Sequence, residues 1–253
     1  MTSLLDHPMI SGKYLFPQDR CLRHPTVFNV NGVSLACYHK MVDRNDLTLV
    51  YFHGNGEAVA DYVPWMTRVF DEMEVNQLFI EYRGYGGSTG QAHLVAMLAD
   101  GEAVMQAAGL VPEQTVVFGR SIGSLYAIEL AARQPNIAGL IIESGIADPH
   151  ERFVTYADLE STGISDDELR LEVTKYFDHK LKLSNYINPL LILHTEHDGL
   201  IDISHAERIL EWAGSHRKRL VRFPSGKYNS IFQSNRSQYI SNVAAFVERL
   251  KPE

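Results

Sequence analysis

Apolar residues along this chain cluster in short runs, which are separated by longer segments with helical spacing of their apolar positions. Most runs are about five residues long and rich in β-branched or aromatic side chains, which is typical of strands buried on both faces. The predicted strands occupy residues 47–52, 77–81, 114–118, 139–143, 190–193 and 219–223. The predicted helices span about 61–73, 93–108, 122–133, 204–213 and 237–250.

Two further β runs, residues 25–30 and 33–39, are joined at Asn31-Gly32. Asn-Gly between two β runs is a strong hairpin signal, so we expect an antiparallel edge here. Elsewhere strands alternate with helices, which predicts parallel strands covered by helices on both faces. The pattern therefore predicts an α/β fold with a mostly parallel sheet of about eight strands.

Residues from about 148 to 187 show no strand pattern and mix helical periodicity with turn residues. We expect a small helical insertion here, between two strands of the sheet. Its apolar side chains either line a pocket or pack the insertion onto the sheet, and the sequence favours packing. Since no flexible linker interrupts the chain, residues 1–253 are predicted to form a single domain, which suits their number.

The most informative turn is Gly119-Arg-Ser-Ile-Gly123, which follows a predicted buried strand and precedes a predicted helix. Gly-x-Ser-x-Gly in this context is typical of the nucleophile elbow of hydrolases, where the serine sits on a sharp turn above the sheet. The two glycines avoid clashes as the chain reverses, and the following helix N-terminus favours a developing anion. An ordinary loop is the alternative, and the strand–turn–helix context favours the elbow.

Composition excludes several other functions. The net charge is −8, from 23 basic and 31 acidic residues, which argues against a general nucleic-acid binder. The only dense basic run, Arg217-Lys-Arg219, is read most simply as a solvated entry to a strand. Cys21 and Cys37 form no disulfide framework or metal motif. No stretch is long enough to span a membrane, and no signal peptide is evident, so a reducing cytoplasm is the expected location.

Four motifs together resemble the α/β-hydrolase superfamily over nearly the whole chain, and are similar to its small esterase, thioesterase and serine-aminopeptidase-like branch. In order they are His53-Gly-Asn-Gly56, Tyr82-Arg-Gly-Tyr-Gly-Gly-Ser88, Gly119-Arg-Ser-Ile-Gly123 and His194-Thr-Glu-His-Asp198. The order and spacing make the set specific. The insertion at about 148–187 then stands where this family places its variable cap.

The resemblance implies a role for each motif. Ser121 would be the nucleophile, and the backbone N–H of Ile122 with one from the loop near Asn55 would form the oxyanion hole. Asp198 would be the acid that orients a histidine, although a turn or helix-cap aspartate is the plain alternative. Glu143 resembles a glutamate that the branch often carries, and a structural carboxylate is an equally good reading.

Tyr228 breaks the resemblance, because it occupies the position at which the family's catalytic histidine is expected. No histidine follows His216, so no shift of the alignment restores one. His205 and His216 are interpreted as surface residues, and His197 is the first alternative base. His53 belongs to the oxyanion loop, which it is expected to support.

Tyrosine is a poor replacement for histidine on physical grounds. Its ordinary pKa is about 10, against about 6.5 for histidine, so at neutral pH the phenol holds its proton and cannot readily accept one from Ser121. A nearby Asp198 carboxylate would raise that pKa further because like charges repel. The other motifs are intact, which fits a recent or introduced replacement better than a scaffold that lost its chemistry long ago.

Two hypotheses from different classes remain. The first is a serine hydrolase that cleaves a carboxylic ester, thioester or amide through an acyl-Ser121 intermediate, impaired by Tyr228. The second is a non-catalytic binding or scaffold protein that kept the fold. A nucleotide-binding reading of the glycines at 84–90 lacks the right context. The expected partner is a small acyl substrate, no metal or organic cofactor is indicated, and the sequence sets no oligomeric state.

Overall fold

The structure of the protein is a computed structural model that describes residues 3–156 and 159–251, with the backbone alone at residues 156, 160 and 161. In this part of the chain the strands form one eight-stranded sheet, which confirms the predicted fold class. The strands are β1 Thr26–Val30, β2 Val33–Lys40, β3 Thr48–Phe52, β4 Asn76–Ile80, β5 Thr115–Arg120, β6 Gly139–Glu143, β7 Leu190–Thr195 and β8 Lys218–Phe223.

The sheet has the spatial order β1-β2-β4-β3-β5-β6-β7-β8. The hairpin β1–β2 is antiparallel, as Asn31-Gly32 predicts, and β2 runs antiparallel to β4. All pairs from β4 to β8 are parallel. Every residue of β3 to β7 is buried, because helices cover both faces of these central strands.

The helices that cover the sheet are mostly short. They are α1 Ser11–Tyr14, α2 Val59–Tyr62, α3 Met66–Asp71, α4 Asp100–Ala107, α5 Gly123–Arg133, α6 Pro149–Tyr156, α7 Leu159–Thr162, α8 Asp166–Phe177, α9 His179–Asn185, α10 Ile203–Trp212, α11 Ile231–Ser234 and α12 Arg236–Glu248. None of the helices in the described residues is long and apolar enough to cross a membrane.

Successive side chains of the central strands pack alternately into two apolar cores, one on each face of the sheet. Val50 and Phe52 of β3 pack with α4, α5 and the helices between β6 and β7. Leu49 and Tyr51 point to the other face and pack with α3 and α12. The sheet therefore separates two apolar layers, as the period of two in a strand requires.

Two predicted helices are shorter than their patterns suggested. The segment 61–73 is broken between α2 and α3 at Pro64, since proline offers no N–H to continue the helix. The segment 93–108 is α-helical only from Asp100, and turns replace the helix at residues 94–99. Leu94 donates to Ser11 Oγ and Val95 to Asp6 Oδ1.

Four helices, α6 to α9, fill the segment between β6 and β7 in which the sequence predicts a cap. Residues 157–158 of that segment lie outside the described residues. Phe153, Leu169 and Phe177 are buried in the core, whereas Leu171 is exposed. These three buried side chains pack the segment onto the rest of the protein.

The turn after β5 depends on two glycines at points where backbone segments meet. A Cβ at Gly119 would lie 2.5 Å from the Gly123 carbonyl oxygen, and one at Gly123 would overlap the Phe52 carbonyl oxygen and lie 2.8 Å from that of His53. These neighbours are backbone atoms of the sheet and its loops, so they cannot move aside cheaply. Neither position has room for a side chain.

We therefore expect Gly123→Ala to lower the free energy of unfolding by about 2–3 kcal/mol, the range of an overpacked core. Urea denaturation monitored by circular dichroism measures the change. Gly199→Ala is the matched control, because a Cβ there meets nothing within 4 Å. Equal effects of the two substitutions would show that the turn is less tightly packed than this geometry requires.

Candidate active site

Ser121 lies on the turn between β5 and α5 with a left-handed backbone, at φ = +53°. For a residue with a Cβ this conformation costs of the order of 1–3 kcal/mol, and it persists only where surrounding contacts hold it. Here the Ser121 N–H donates to the Glu143 carbonyl oxygen (2.9 Å), and the Ser121 carbonyl oxygen accepts from the N–H and hydroxyl of Ser124 (2.9 and 2.6 Å). The sequence prediction of a sharp strand-to-helix turn at Ser121 matches this geometry.

The loop after β3 approaches Ser121 from the neighbouring strand. The Asn55 side chain donates to the Tyr14 carbonyl oxygen (2.5 Å) and accepts from the Phe16 N–H (2.9 Å), so it fastens the N-terminal segment over the site. Within residues 3–156 and 159–251, the backbone N–H groups of Asn55 and Ile122 have no hydrogen-bond acceptor. Both groups therefore remain free to donate a hydrogen bond.

Asp198 follows β7 and is buried, with both carboxylate oxygens engaged. Oδ1 accepts from the N–H groups of Leu200 (2.9 Å) and Ile201 (2.8 Å). Oδ2 accepts from the Ser144 hydroxyl (3.0 Å) and lies 3.6 Å from Nε2 of His194. The bonds to Oδ1 are those of a turn aspartate, which is the alternative that the sequence left open. The same contacts hold the carboxylate at the edge of the sheet that carries Ser121.

Tyr228 lies in the loop after β8, at the start of a single 3₁₀ turn, and lines a cavity of about 320 Å³ together with Ser121. Burial raises the pKa of the Tyr228 phenol, and Arg120 and a side-chain hydrogen bond with Ser121 oppose the rise. Asp198 is close enough to raise that pKa as well. The structure thus brings Ser121 and Tyr228 into contact, with Asp198 nearby and no hydrogen bond between Asp198 and Tyr228 among the described contacts.

Other residues complete the wall of the cavity and come from five separate segments. The N-terminal segment and the loop after β7 supply mainly apolar surface, and the cap supplies one arginine. These residues are Tyr14, Phe16, Asn55, Gly56, Glu57, Arg152, Leu200, Ile201 and Asn229. The sequence patterns gave no indication that the N-terminal segment takes part.

No histidine lines this cavity, although the described residues include all 11 histidines of the chain. His53 is fully buried, and its ring lies 2.8 Å from Glu81 Oε1 and 2.8 Å from the Gly54 carbonyl oxygen. These contacts hold the ring beneath the loop after β3, and the role of that loop in an oxyanion hole stays a prediction. His197 is exposed in the loop after β7 and is not among the cavity residues.

The interpretation of His205 as a surface residue is wrong, because the ring is buried within α10. Its Nδ1 accepts from the Ala147 N–H (3.1 Å) and lies 3.1 Å from an Arg208 nitrogen. Burial, with the Arg208 charge beside it, lowers the pKa of His205 to about 4. The helical pattern alone could not reveal that this ring faces the cap. His216 is exposed in a turn, as expected.

Arg120, the residue before the candidate nucleophile, joins three of the loops around the site. Its buried guanidinium pairs with Glu57 of the oxyanion loop and, through Nε, with Glu143 Oε1 (3.0 Å) at the end of β6. Nη2 donates to the Tyr228 carbonyl oxygen (3.3 Å), and the guanidinium carbon lies 4.7 Å from the centroid of the Tyr228 ring. One cation therefore ties the oxyanion loop, β6 and the Tyr228 loop together.

The contacts of Glu143 are those of a structural carboxylate, which is one of the two interpretations that the sequence left open. It is 3% exposed, and besides Arg120 it accepts a short hydrogen bond from the Tyr239 hydroxyl of α12. Glu57 likewise accepts from the Gly54 N–H (2.5 Å) and the Tyr62 hydroxyl. Sequence reasoning missed Glu57 and Arg120; the one available signal was a charged residue at the end of an otherwise apolar strand.

Comparisons with known proteins agree with this architecture. A family model described as serine aminopeptidase, S33, matches residues 43–166. Est1E from Butyrivibrio proteoclasticus, in a structure with ferulic acid bound, superposes with a TM-score of 0.74 at 17% identity, over 89% of this chain and 98% of that one. The Pyrococcus furiosus esterase Pf2001 gives a TM-score of 0.70 at 17% identity, over 92% and 99%.

The protein has the α/β-hydrolase fold. Among its curated relatives, alpha/beta hydrolase domain-containing protein 17B from Homo sapiens is 28% identical over 185 residues, and the protein of that name from Xenopus tropicalis is equally similar. The match covers 71% of this chain and 60% of each relative's length. The family model ends before Asp198 and Tyr228, so these two positions rest on the structure and the motif order.

The ion pair between Arg120 and Glu143 should affect how the free energy of unfolding of the protein varies with pH. Burial raises the pKa of Glu143, and the Arg120 charge is the largest opposing influence. A carboxyl group whose pKa is higher in the folded state than in the unfolded state binds protons more readily when folded. Its contribution to stability therefore falls as the pH rises above the pKa of the unfolded state. Removing Arg120 leaves the burial unopposed and should enlarge this loss.

We therefore expect Arg120→Met to cost about 3–5 kcal/mol at pH 8, the range for a buried ion pair that loses one partner, and less at pH 5. Urea denaturation at both pH values measures the change. Adding Glu143→Gln should recover part of the loss at pH 8. Arg133→Met is the matched control, because its side chain is 37% exposed and its loss should cost less than about 1 kcal/mol. A loss that does not vary with pH would contradict the expectation.

Proposed function

We propose that the protein is a serine hydrolase for acyl substrates whose turnover is held low by Tyr228. The observation that carries the proposal is the shared cavity of Ser121 and Tyr228, whose described lining residues include no histidine. The Ser121 turn, and the N–H groups of Asn55 and Ile122 that have no acceptor among the described residues, support an acyl-transfer site. What the cavity lacks is a group that accepts a proton near neutral pH.

In the proposed reaction, Ser121 Oγ attacks the carbonyl carbon of an ester, thioester or amide. The developing oxyanion accepts hydrogen bonds from the N–H groups of Ile122 and Asn55, which have no acceptor among the residues that the structure describes. The alcohol, thiol or amine leaves with a proton, and water then hydrolyses the acyl-Ser121 ester. Since the pKa of the Tyr228 phenol is raised, the phenol keeps its proton at neutral pH and cannot accept another, so both steps depend on protons moving through water.

A substrate with a modest acyl group fits this cavity best. A cavity of about 320 Å³ is near the lower end of small-molecule sites, and Phe16, Leu200 and Ile201 give it an apolar side. Est1E is an esterase-like neighbour with ferulic acid bound, and the matching family model names an aminopeptidase, so ester and amide substrates both remain within the proposal.

A non-catalytic binding protein is the second candidate, and the Tyr228 contacts favour it. Its ring lies against Arg120, its carbonyl oxygen accepts from the same guanidinium, and its hydroxyl contacts Ser121. These contacts anchor a bulky phenol above the serine. If turnover is absent with every acyl substrate and Tyr228→His restores none, this function replaces the first.

Ser121 should react slowly with a fluorophosphonate probe. An unassisted serine hydroxyl is a weak nucleophile, so labelling at pH 7.5 should take hours at probe concentrations that saturate an ordinary serine hydrolase within minutes. Intact-protein mass spectrometry follows the reaction, and Ser121→Ala provides the baseline. Rapid stoichiometric labelling would mean that another group activates Ser121, with His197 the first to test.

Tyr228→His should increase hydrolysis of a short p-nitrophenyl ester at least about a hundredfold, the low end of general-base catalysis. Imidazole is smaller than phenol, so the cavity accepts it without overpacking. Asp198 Oδ2, which accepts from the Ser144 hydroxyl, is the carboxylate oxygen that we expect to accept the ring N–H. The rate should rise with pH through about 6–7 as the imidazole loses its proton.

The control for this substitution is Tyr228→Phe, which removes the hydroxyl without adding a base. It should leave the rate within a few-fold of the starting protein, and Ser121→Ala should abolish the gain of Tyr228→His. Matched purified proteins assayed from pH 5 to 9 give all three comparisons. An equal gain from histidine and phenylalanine would show that steric blocking by the phenol, and not the missing base, limits the rate.

A further inference from the structure

A second cavity, of about 410 Å³, lies at the opposite end of the sheet from Ser121. The amino ends of β7 and β8 and one side of α12 enclose it, whereas Ser121 and Asp198 follow the carboxyl ends of parallel strands. Its lining residues are Pro189, Leu190, Leu191, His216, Arg217, Lys218, Arg219, Asn242, Ala245, Phe246, Arg249 and Leu250. Its volume lies within the range of small-molecule sites.

The floor of this cavity is apolar and held by the fold. Leu190 and Leu191 at the start of β7 are buried, and Phe246 and Leu250 project from the C-terminal segment. A Cβ at Gly139 would lie 2.6 Å from Leu250 Cδ1 and 3.0 Å from Phe246 Cε1, so the glycine allows these two side chains to pack against β6. The floor is therefore part of the core and does not depend on a ligand.

The rim of the cavity is cationic. Arg217, Arg219 and Arg249 are exposed, and none of them forms a salt bridge within the described residues. Lys218 Nζ donates to the Ala213 carbonyl oxygen (2.6 Å), which leaves its charge without a carboxylate partner. The described lining residues include no aspartate or glutamate. The protein as a whole carries a net charge of −8, so this concentration of positive charge is local.

We propose that this cavity binds a free amphipathic carboxylate, with its alkyl chain on the apolar floor and its head group between the rim arginines. Guanidinium groups pair with carboxylates through paired, charge-assisted hydrogen bonds. An anion without a tail would leave the floor in water, and a tail without an anion would leave the cations uncompensated. The sequence suggested only a solvated strand entry at 217–219, since Arg249 and the floor join it only in three dimensions.

Isothermal titration calorimetry with sodium decanoate, below its critical micelle concentration, tests the proposal. The expected result is saturable binding that weakens as sodium chloride rises, because salt screens exposed charges. Butyrate has the head group without the tail, and decyltrimethylammonium has the tail with the opposite charge; both should bind at least tenfold more weakly. Equal binding of decyltrimethylammonium, or no saturable decanoate binding, would overturn the proposal.

Two variants locate the binding. Arg217→Gln/Arg249→Gln should weaken decanoate binding at least tenfold, and Ala245→Trp should weaken it similarly by filling the cavity while leaving its charges in place. The matched control is Arg222→Gln/Arg68→Gln, which removes two exposed arginines outside the cavity, one of them on β8. Circular dichroism checks that each variant is folded.

Undiminished binding in both cavity variants would place decanoate elsewhere, including the Ser121 cavity, and would overturn the proposal. Cosedimentation with vesicles of anionic phospholipid provides the last arm. If the rim arginines matter for vesicle binding and not for monomeric decanoate, the ligand is a membrane surface and the proposed free carboxylate is wrong. Neither arm requires turnover at Ser121, so the result is independent of the proposed hydrolase activity.

Discussion

The left-handed backbone at Ser121 is the constraint on which the site depends. A serine held at φ = +53° is strained, so the surroundings must supply contacts that outweigh the cost. They do so at close range: Gly123 lies against the carbonyl groups of β3 and the loop after it, and the Ser121 N–H reaches the carbonyl group at the end of β6. The turn therefore requires that three neighbouring strands end at the same level, which is what the parallel register provides.

Arg120 adds an electrostatic constraint to this steric one. Its guanidinium lies between Glu57 and Glu143, and it also binds the backbone and ring of Tyr228. Two carboxylates around one buried cation are stable only if further hydrogen bonds hold the remaining oxygens, and hydroxyl groups of Tyr62 and Tyr239 do this. The loop that carries Tyr228 is thus held by its backbone and ring. This explains why the site can remain ordered whether or not residue 228 can act as a base.

Much of the fold could be predicted from the sequence, because a strand buried on both faces leaves a continuous apolar run and the Asn31-Gly32 turn has few alternatives. Helix ends were harder to predict, since residues 94–99 form turns that contact Ser11 and Asp6 of a distant segment, although their local pattern looks helical. In the site, Ser121 could be predicted from the sequence because two glycines flank it in a Gly-x-Ser-x-Gly motif. Glu57 did not, because its role comes from Arg120, more than sixty residues away in sequence and adjacent only in space. Side-chain pairs that span such separations leave no local pattern.

The surroundings of Tyr228 decide whether its phenol can act as a base beside Ser121. A phenol in contact with Ser121 and near Asp198 experiences burial and a negative neighbour, both of which favour its neutral form, while the Arg120 charge opposes them. The net result is a raised pKa, and the Arg120 charge that favours the phenolate is also shared between two carboxylates. Arg120 supports the architecture of the site at the expense of activating Tyr228. A productive base at this position therefore needs an intrinsically lower pKa, and among the common side chains imidazole is the one that meets this requirement near neutral pH.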